Sequence, residues 1–384
     1  MGPGVGVPEQ AYSQPVPIRV GIVGANPERG WARQAHIPAL LALPEFQIHA
    51  VCTRNEESSR AAARAFGASL SFVDARALAR HPEVDLVVVA VKVPDHRQPV
   101  LDALEAGKHV YCEWPLGASG AQTEEMSAAA HRAGTRTVIG LQSHGSPALR
   151  RARDLVNSGY VGRILSASVQ GSVSVRGGAT LPSELAWAAD RANGASILTI
   201  PAGHAMDALF FCVGEPRDVW ASVATQTTSA HVAETEATVE VTAPDQVVAG
   251  GALAAGGAFS IHVQGGAVSN GFRMEIHGDQ GMLLLSTHMQ SVQLADLVLE
   301  GARAGEDLQV IDVSEERSAL PEGLPGNVAA LYSGLARAIL DGGPSAPDFD
   351  HAALRHRFLD AIVEASERGV RLYGAEGRWA GAGP

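Results

Sequence analysis

The chain has 384 residues, 46% hydrophobic and 18% charged, which is enough apolar material for full cores and excludes a chain kept unfolded by its own charge. Its 29 basic and 41 acidic residues leave a net charge of −12, which argues against direct binding to nucleic acid or to an anionic membrane surface, since both reward positive charge. Three cysteines, Cys52, Cys112 and Cys212, follow no metal-type spacing and no disulfide framework, so no metal site is expected and a reducing, cytoplasmic setting is.

Residues 1–17 are rich in glycine and proline and lack the basic and apolar regions of a secretory signal, so they read as a flexible leader. Ile18 to Val23 is a strand ending at a glycine, and Gln47 to Cys52 is a second. Between them Ala32 to Leu43 has helical composition, with Pro38 expected to kink it. Glu56 to Phe66 is the next helix. The run LVVVAV, Leu86 to Val91, is the pattern of a strand buried on both faces of a parallel sheet and is too short to span a bilayer. A helix over Gln98 to Ala106, a strand over His109 to Cys112, a helix over Thr123 to Ala133 and a strand over Thr137 to Gly140 follow. Strands alternating with helices predict a parallel, doubly wound sheet.

After Leu141 the pattern changes. A helix from Pro147 to Asn157 leads into strand material from Arg163 to Val175, then a helix from about Ile197 to Val213. From Val219 to Leu297 come VWASVATQ, ATVEVTA, VVAGGAL, AFSIHV, FRMEIHG, MLLLS and VQLADL, separated by glycine-rich turns. This predicts a largely antiparallel sheet with one open face. Helices over Val328 to Leu340 and His351 to Arg371 close the chain. The fold class is therefore α/β: a Rossmann-type dinucleotide-binding domain over 18–141, and an α+β domain with a large open mixed or antiparallel sheet over 142–384.

The first strand runs into Gly24-Ala25-Asn26-Pro27-Glu28-Arg29-Gly30-Trp31 and then a helix. The dinucleotide fingerprint sits at such a turn, where glycines let the backbone approach the pyrophosphate and the helix N-terminus supplies donors. Gly24 fits its first position. Asn26, a residue tolerant of positive φ, replaces the second glycine, and Gly30 comes one place late. At the end of the second strand an NAD site usually places an acid for the ribose. Here stand Thr53 and Arg54, and a hydroxyl with a guanidinium suits a 2′-phosphate, so NADP is preferred over NAD. Lys92 and His96 follow the buried strand at the switch point and are expected to border the cofactor.

Taken with Ala35-His36-Ile37-Pro38-Ala39-Leu40, Lys108-His109-Val110-Tyr111-Cys112-Glu113-Trp114-Pro115, Leu155 to Gly162 and Gly194 to Gly214, these residues resemble the glucose–fructose oxidoreductase, inositol dehydrogenase and MocA family over about residues 18 to 372. The resemblance implies a Rossmann domain followed by an open sheet that carries substrate and forms homo-oligomers. It places Glu113 and Trp114 on the cofactor side. The family's Glu-Lys-Pro becomes Glu113-Trp114-Pro115, and the aspartate of its Asp-x-Gly-x-His motif falls on Ile200, while His204 remains. The extended loop through Trp31, the Gln142 entry and His204 followed by Asp207 resemble the branch of galactose-pathway co-repressors, which act through protein contacts rather than turnover.

His204 is then the candidate for proton transfer, with an imidazole of ordinary pKa suited to acid–base work. Asp207, one helical turn on, is a candidate to orient it. Lys92 is the remaining cation able to replace the missing lysine, because Lys108, the chain's only other lysine, reads as structural. Lys92 or the Trp114 N–H would steady the substrate oxygen. By the same resemblance Gln142, His144, Arg176, Trp187, Asp190 and Asn193 line the substrate pocket. The expected function is NAD(P)-dependent oxidation or reduction of a sugar-like or other small polyol or carbonyl compound with a non-standard site. The alternatives are a catalytically silent dinucleotide-binding regulator and a repurposed enzyme using its cofactor non-classically.

Overall fold

The computed structural model describes residues 16–289, 291–294, 296–345, 347–375 and 378–381, so most of the expected leader lies outside the described residues. The first domain holds β1 (Ile18–Val23), α1 (Ile37–Leu41), β2 (Phe46–Cys52), α2 (Glu56–Phe66), β3 (Leu70–Phe72), α3 (Ala75–Arg80), β4 (Leu86–Val89), α4 (Arg97–Glu105), β5 (His109–Glu113), α5 (Gly120–Ala133) and β6 (Thr137–Gly140). Its strands are parallel in the order β3-β2-β1-β4-β5-β6, the doubly wound arrangement that the alternation predicts. Successive residues of β4 point to opposite faces: Leu86 and Val88 join one core with Ile22 and Leu40, while Val87 and Val89 join the other with Leu78 and Val100. A continuous apolar run is what such a strand needs. Short β3 and α3 carry too weak an apolar pattern to stand out in the sequence.

The second domain begins with α6 (Pro147–Asn157), β7 (Ile164–Ser172), β8 (Thr180–Leu181) and α7 (Gly203–Val213). It continues with β9 (Asp218–Ala224), β10 (Ser229–Val232), β11 (Ala237–Glu240), β12 (Gln246–Ala252), β13 (Ala258–Gln264), β14 (Gly271–Gly278), β15 (Gly281–Thr287), β16 (Val298–Arg303) and β17 (Gln309–Val310). The chain closes with α8 (Ser314–Ser318), α9 (Leu324–Leu340), α10 (Phe349–Arg368), β18 (Leu372–Ala375) and β19 (Arg378–Gly381). Ten strands form one sheet, β17-β16-β15-β14-β7-β13-β12-β9-β18-β19, in which β7 and β13 are the parallel pair. Its inner face, with Val169, Phe259, Ile261, Met274 and Leu285, packs under α7 and α10, where Phe210 meets Phe259 at 5.4 Å and Phe358 at 5.1 Å.

Several expected elements are redrawn. ATVEVTA supplies β11 of a separate three-stranded sheet with β10 and β8. VQLADL holds a short 3₁₀ turn, Val292–Leu294, and the strand starts after it at Val298. Pro38 sits in the first turn of α1, where its missing N–H costs nothing, and the irregularity falls before it, in the π-turn Ala32–His36. A second π-turn, Leu198–Ala202, holds Pro201 and leads into α7. The helical stretch Arg191–Val213 is long and apolar enough to cross a membrane, yet 83% of its apolar window is buried inside the protein, as in a core helix.

The last two long helices return to the first domain. Val328, Leu331 and Tyr332 of α9 enter the core of β1, β2 and β4. In α10, Asp350 accepts hydrogen bonds from Ser127 at 2.5 Å and His131 at 2.8 Å, and Arg357 pairs with Glu124, all on α5. The cleft between the domains is thus held from both sides.

Candidate active site

At the head of β1, Gly24 has φ +98°, and a Cβ there would stand 2.4 Å from the Ala90 carbonyl oxygen beyond β4. Only glycine lets the fingerprint turn lie this close to the neighbouring strand end. Gly30 also has positive φ, +95°, facing open space. Asn26 acts differently from expectation. Its backbone is not left-handed; instead its side-chain oxygen accepts the N–H groups of Glu28 at 2.9 Å and Arg29 at 3.1 Å and rounds the long loop. Next to it the indole N–H of Trp31 is buried without a partner among the described residues.

At the end of β2 the Thr53 hydroxyl meets the Ser58 hydroxyl at 2.6 Å, and Asn55 caps α2. Arg54 is exposed and makes no hydrogen bond or ion pair among the described residues. Below the turn, Glu113 is gripped by Nε2 of buried His36 at 2.9 Å and by Nε2 of Gln142 at 2.7 Å, and His36 in turn contacts the Tyr332 hydroxyl at 2.7 Å. Oε1 of Gln142 and the Ser143 hydroxyl are buried and unpaired among the described residues. Unpaired buried polar groups are uncommon and call for a partner. Together with the glycine turn and the free Arg54, they fit a dinucleotide lying across the ends of β1, β2 and β5.

The catalytic end is arranged otherwise. Trp114 is buried against Gly203 and His356, and its N–H donates to the Thr199 carbonyl at 2.6 Å. That donor ties the π-turn to the first domain, so the expectation that it steadies a substrate oxygen is not met. Asp207 is fully buried and does not orient His204. Its Oδ2 accepts from His144 at 2.7 Å, and its Oδ1 from His351 at 2.6 Å and Arg355 at 2.9 Å. Burial alone would raise the Asp207 carboxyl, but these neighbours hold it well below the ordinary value. Arg355 also pairs with Glu215 at 2.6 Å. His144 is accordingly a buried strut stacked 4.2 Å from Phe211, not a pocket wall. His144, Asp207 and His351 bring their ligand atoms within 4.8 Å of one another, but Arg355 already occupies the Asp207 carboxylate and supplies the compensating charge.

His204 is buried, its Nδ1 has no partner among the described residues, and desolvation lowers its pKa to about 3 against the opposing charge of Asp207. It is a neutral imidazole at neutral pH, not one poised near it. His96 is also buried, between the carbonyls of Pro115 at 2.9 Å and Val91 at 3.1 Å, where it clamps the strand exit to the Trp114–Pro115 turn. Lys92 and Trp187, from opposite domains, come together: Lys92 Nζ lies 5.3 Å over the indole ring. The Trp187 carbonyl is held by Asn193 at 2.6 Å, and Asp190 caps the next turn at Ala192. Arg176 lines a small cavity beside this segment.

Residues 18–141 match the family described as oxidoreductase, NAD-binding Rossmann fold, and residues 147–287 match the Gal80p C-terminal domain. The galactose/lactose metabolism regulatory protein GAL80 of Saccharomyces cerevisiae is 30% identical over 312 residues, 76% of this chain and 72% of that protein. The chain belongs to the Gfo/Idh/MocA oxidoreductase family, near its Gal80 branch. The dehydrogenase aclE of Aspergillus oryzae is 33% identical over 52% of this chain and 55% of its own length. Levoglucosan dehydrogenase of Pseudarthrobacter phenanthrenivorans is 29% identical over 52% of each chain. A levoglucosan dehydrogenase structure superposes with a TM-score of 0.82 at 24% identity over 93% of this chain and 99% of that one, which shows the shared fold.

Sequence reasoning missed His36, Tyr332, His351 and Arg355. His36 lies in a motif that was visible. The others come from α9 and α10, which no local pattern connects to the site.

Proposed function

We propose that the chain is an NAD(P)-dependent oxidoreductase of a sugar-like or other small polyol or carbonyl compound, in which His204 handles the substrate proton without a lysine. The observation that carries this is that Trp31 Nε1 beside the fingerprint turn, and Gln142 Oε1, the Ser143 hydroxyl and His204 Nδ1 near the domain junction, are buried without a partner among the described residues. The similarity to dehydrogenases, one of them a levoglucosan dehydrogenase, supports the reaction class. NADP is the preferred dinucleotide in this reading, because Arg54 and Thr53 offer a free cation and a hydroxyl where a 2′-phosphate would lie. When bound, the dinucleotide supplies the hydride acceptor or donor. Neutral His204 accepts a hydrogen bond from the substrate hydroxyl and takes its proton in the oxidative direction. Its depressed basicity makes it a slower base than an ordinary histidine. Lys92, held over Trp187, steadies the oxygen from the other side of the cleft.

A second reading, a dinucleotide-responsive regulator without turnover, is favoured by Trp114 and Asp207, both committed to structural contacts, and by the similarity to GAL80. In either reading the partners are small molecules and a second copy of the chain, seated on the open sheet face where Trp220 and Val298 are exposed. Thermal-shift titration with NAD, NADH, NADP and NADPH, followed by nicotinamide absorbance with a panel of polyols, separates the readings. The oxidoreductase shows turnover that His204→Ala removes. A protein that binds dinucleotide yet turns over no polyol is the regulator, and one stabilised by none of the four contradicts both.

A further inference from the structure

We infer that Gln142 reads the nicotinamide half of the dinucleotide through its side-chain oxygen, which accepts from one neutral N–H or O–H donor, and that His36 and Tyr332 are positioning residues that fix this acceptor. This rests on the dinucleotide-binding part of the reading above and not on hydride transfer. A doubly wound sheet of this order seats one nucleotide over each of its halves. The fingerprint turn and the Thr53–Arg54 end follow β1 and β2, in the half that takes the adenine nucleotide. Glu113 ends β5, and Gln142 opens the turn after β6, in the half left for the nicotinamide nucleotide. Gly140 pairs with Glu113 across these strand ends. A Cβ on it would stand 2.7 Å from Glu113 Oε1 and 3.0 Å from Gln142 Nε2, so the glycine leaves the room that both side chains use.

The hydrogen-bond directions follow from the chemistry of the partners. A carboxylate only accepts, so whatever faces a Glu113 oxygen at hydrogen-bond distance donates to it. Nε2 of His36, 2.9 Å from Oε1, therefore carries a proton, and the Gln142 nitrogen, 2.7 Å from Oε2, is the amide atom turned to Glu113. That leaves Oε1 as the free end of the Gln142 amide, buried and without a partner among the described residues. His36 has no room to turn away. It is fully buried, its Nδ1 lies 2.7 Å from the Tyr332 hydroxyl, and its ring sits edge-on to Tyr111 at 5.0 Å and Tyr332 at 5.8 Å.

The chain of contacts Tyr332–His36–Glu113–Gln142 thus runs from α9 to the end of β6 and sets which end of the amide is free. A buried acceptor of fixed identity with no partner favours a ligand group that donates and penalises one that only accepts. On the nicotinamide half the donors are the carboxamide N–H groups and the ribose hydroxyls.

The test is calorimetric titration of the full chain with NADP and with its analogues. The thionicotinamide form keeps the N–H donors, the 3-acetylpyridine form replaces them by a methyl group, the nicotinic acid form replaces them by a carboxylate oxygen, and 2′-phospho-ADP-ribose lacks the ring. The acetylpyridine form is expected to bind about tenfold more weakly than NADP, the contribution of one hydrogen bond to a buried acceptor, with the thionicotinamide form close to NADP and the nicotinic acid form weakest. Gln142→Leu should erase the margin between NADP and the acetylpyridine form. His36→Phe should cut it to about threefold or less, and His36→Gln, whose amide can still donate to Glu113, should restore most of it. A merely structural role for His36 would weaken every ligand alike and leave the margin intact. Should the acetylpyridine form bind as NADP does while Gln142→Leu weakens 2′-phospho-ADP-ribose about tenfold, the donor is a ribose hydroxyl and the acceptor site stands. A margin that survives Gln142→Leu, a Gln142→Leu protein that binds every ligand as the wild type does, or a nicotinic acid form as tight as NADP overturns the assignment. Gln142→Met takes the place of Gln142→Leu if the latter fails to fold. Dinucleotides that bind without regard to these groups remove this assignment alone, whereas a protein that binds none of them removes the dinucleotide reading with it.

Discussion

The two ends of the cleft are built on opposite principles. At the nucleotide end groups are left unpaired: the buried Trp31 N–H, Gln142 oxygen and Ser143 hydroxyl and the exposed Arg54 guanidinium have no partner among the described residues. At the other end most are closed, although His204 Nδ1 and His356 Nε2 stay without a partner among the described residues. The Trp114 N–H is bound to Thr199, and Asp207 is held by two histidines and an arginine. The groups that would bind a ligand are free, whereas most of those that would move protons have become struts between domains. In the proposed reading, this is a dinucleotide-binding scaffold that keeps its ligand-facing groups while His204 alone is left for acid–base chemistry.

That contrast can be broken at several points. If Asp207 is a strut, Asp207→Ala strands Arg355 and two histidines in the interior and lowers stability by about 3–5 kcal/mol in denaturant unfolding. A small loss of stability with a large loss of turnover would return Asp207 to the catalytic side. His204→Ala should cut turnover by roughly 10²-fold or more with dinucleotide affinity held, since general acid–base groups contribute about that much.

Acid should weaken the closed end. Burial lowers His356 to about 4 and His204 to about 3 from 6.5. Between the unfolded and folded values the unfolded chain takes up protons that the folded chain refuses, so stability is full above about pH 6.5 and falls as pH drops toward 4. For His356 the loss is on the order of 3 kcal/mol, and unfolding curves of His356→Phe should show a flatter acid limb. The smallest effect belongs to the open end: Arg54→Ala should reduce the preference for NADP over NAD about tenfold, the worth of one charge-assisted hydrogen bond.

Much of this contrast could be read from the chain, and the unread part has a physical cause. LVVVAV and the Gly24 turn announce a buried parallel strand and a nucleotide crossover, because pattern and turn chemistry are local. Lys92, expected beside the cofactor, and Trp187, expected in the substrate pocket, lie against each other across the two domains. Asp207 misled, since three residues from His204 along a helix suggests a pair, while its actual partners lie in the turn before α6 and in α10. Asn26 misled in a similar way: its composition pointed to a left-handed backbone, whereas its side chain does the turning. His204 could be named but not its protonation, which burial among distant elements decides.

The most direct test of the account pairs two readings on one sample set: dinucleotide affinity and hydride transfer for wild-type protein and His204→Ala. The account predicts equal NADP affinity in both proteins, with nicotinamide absorbance changing on polyol addition in the wild type alone. Equal turnover in both, or binding of no nicotinamide dinucleotide by the wild type, would contradict it.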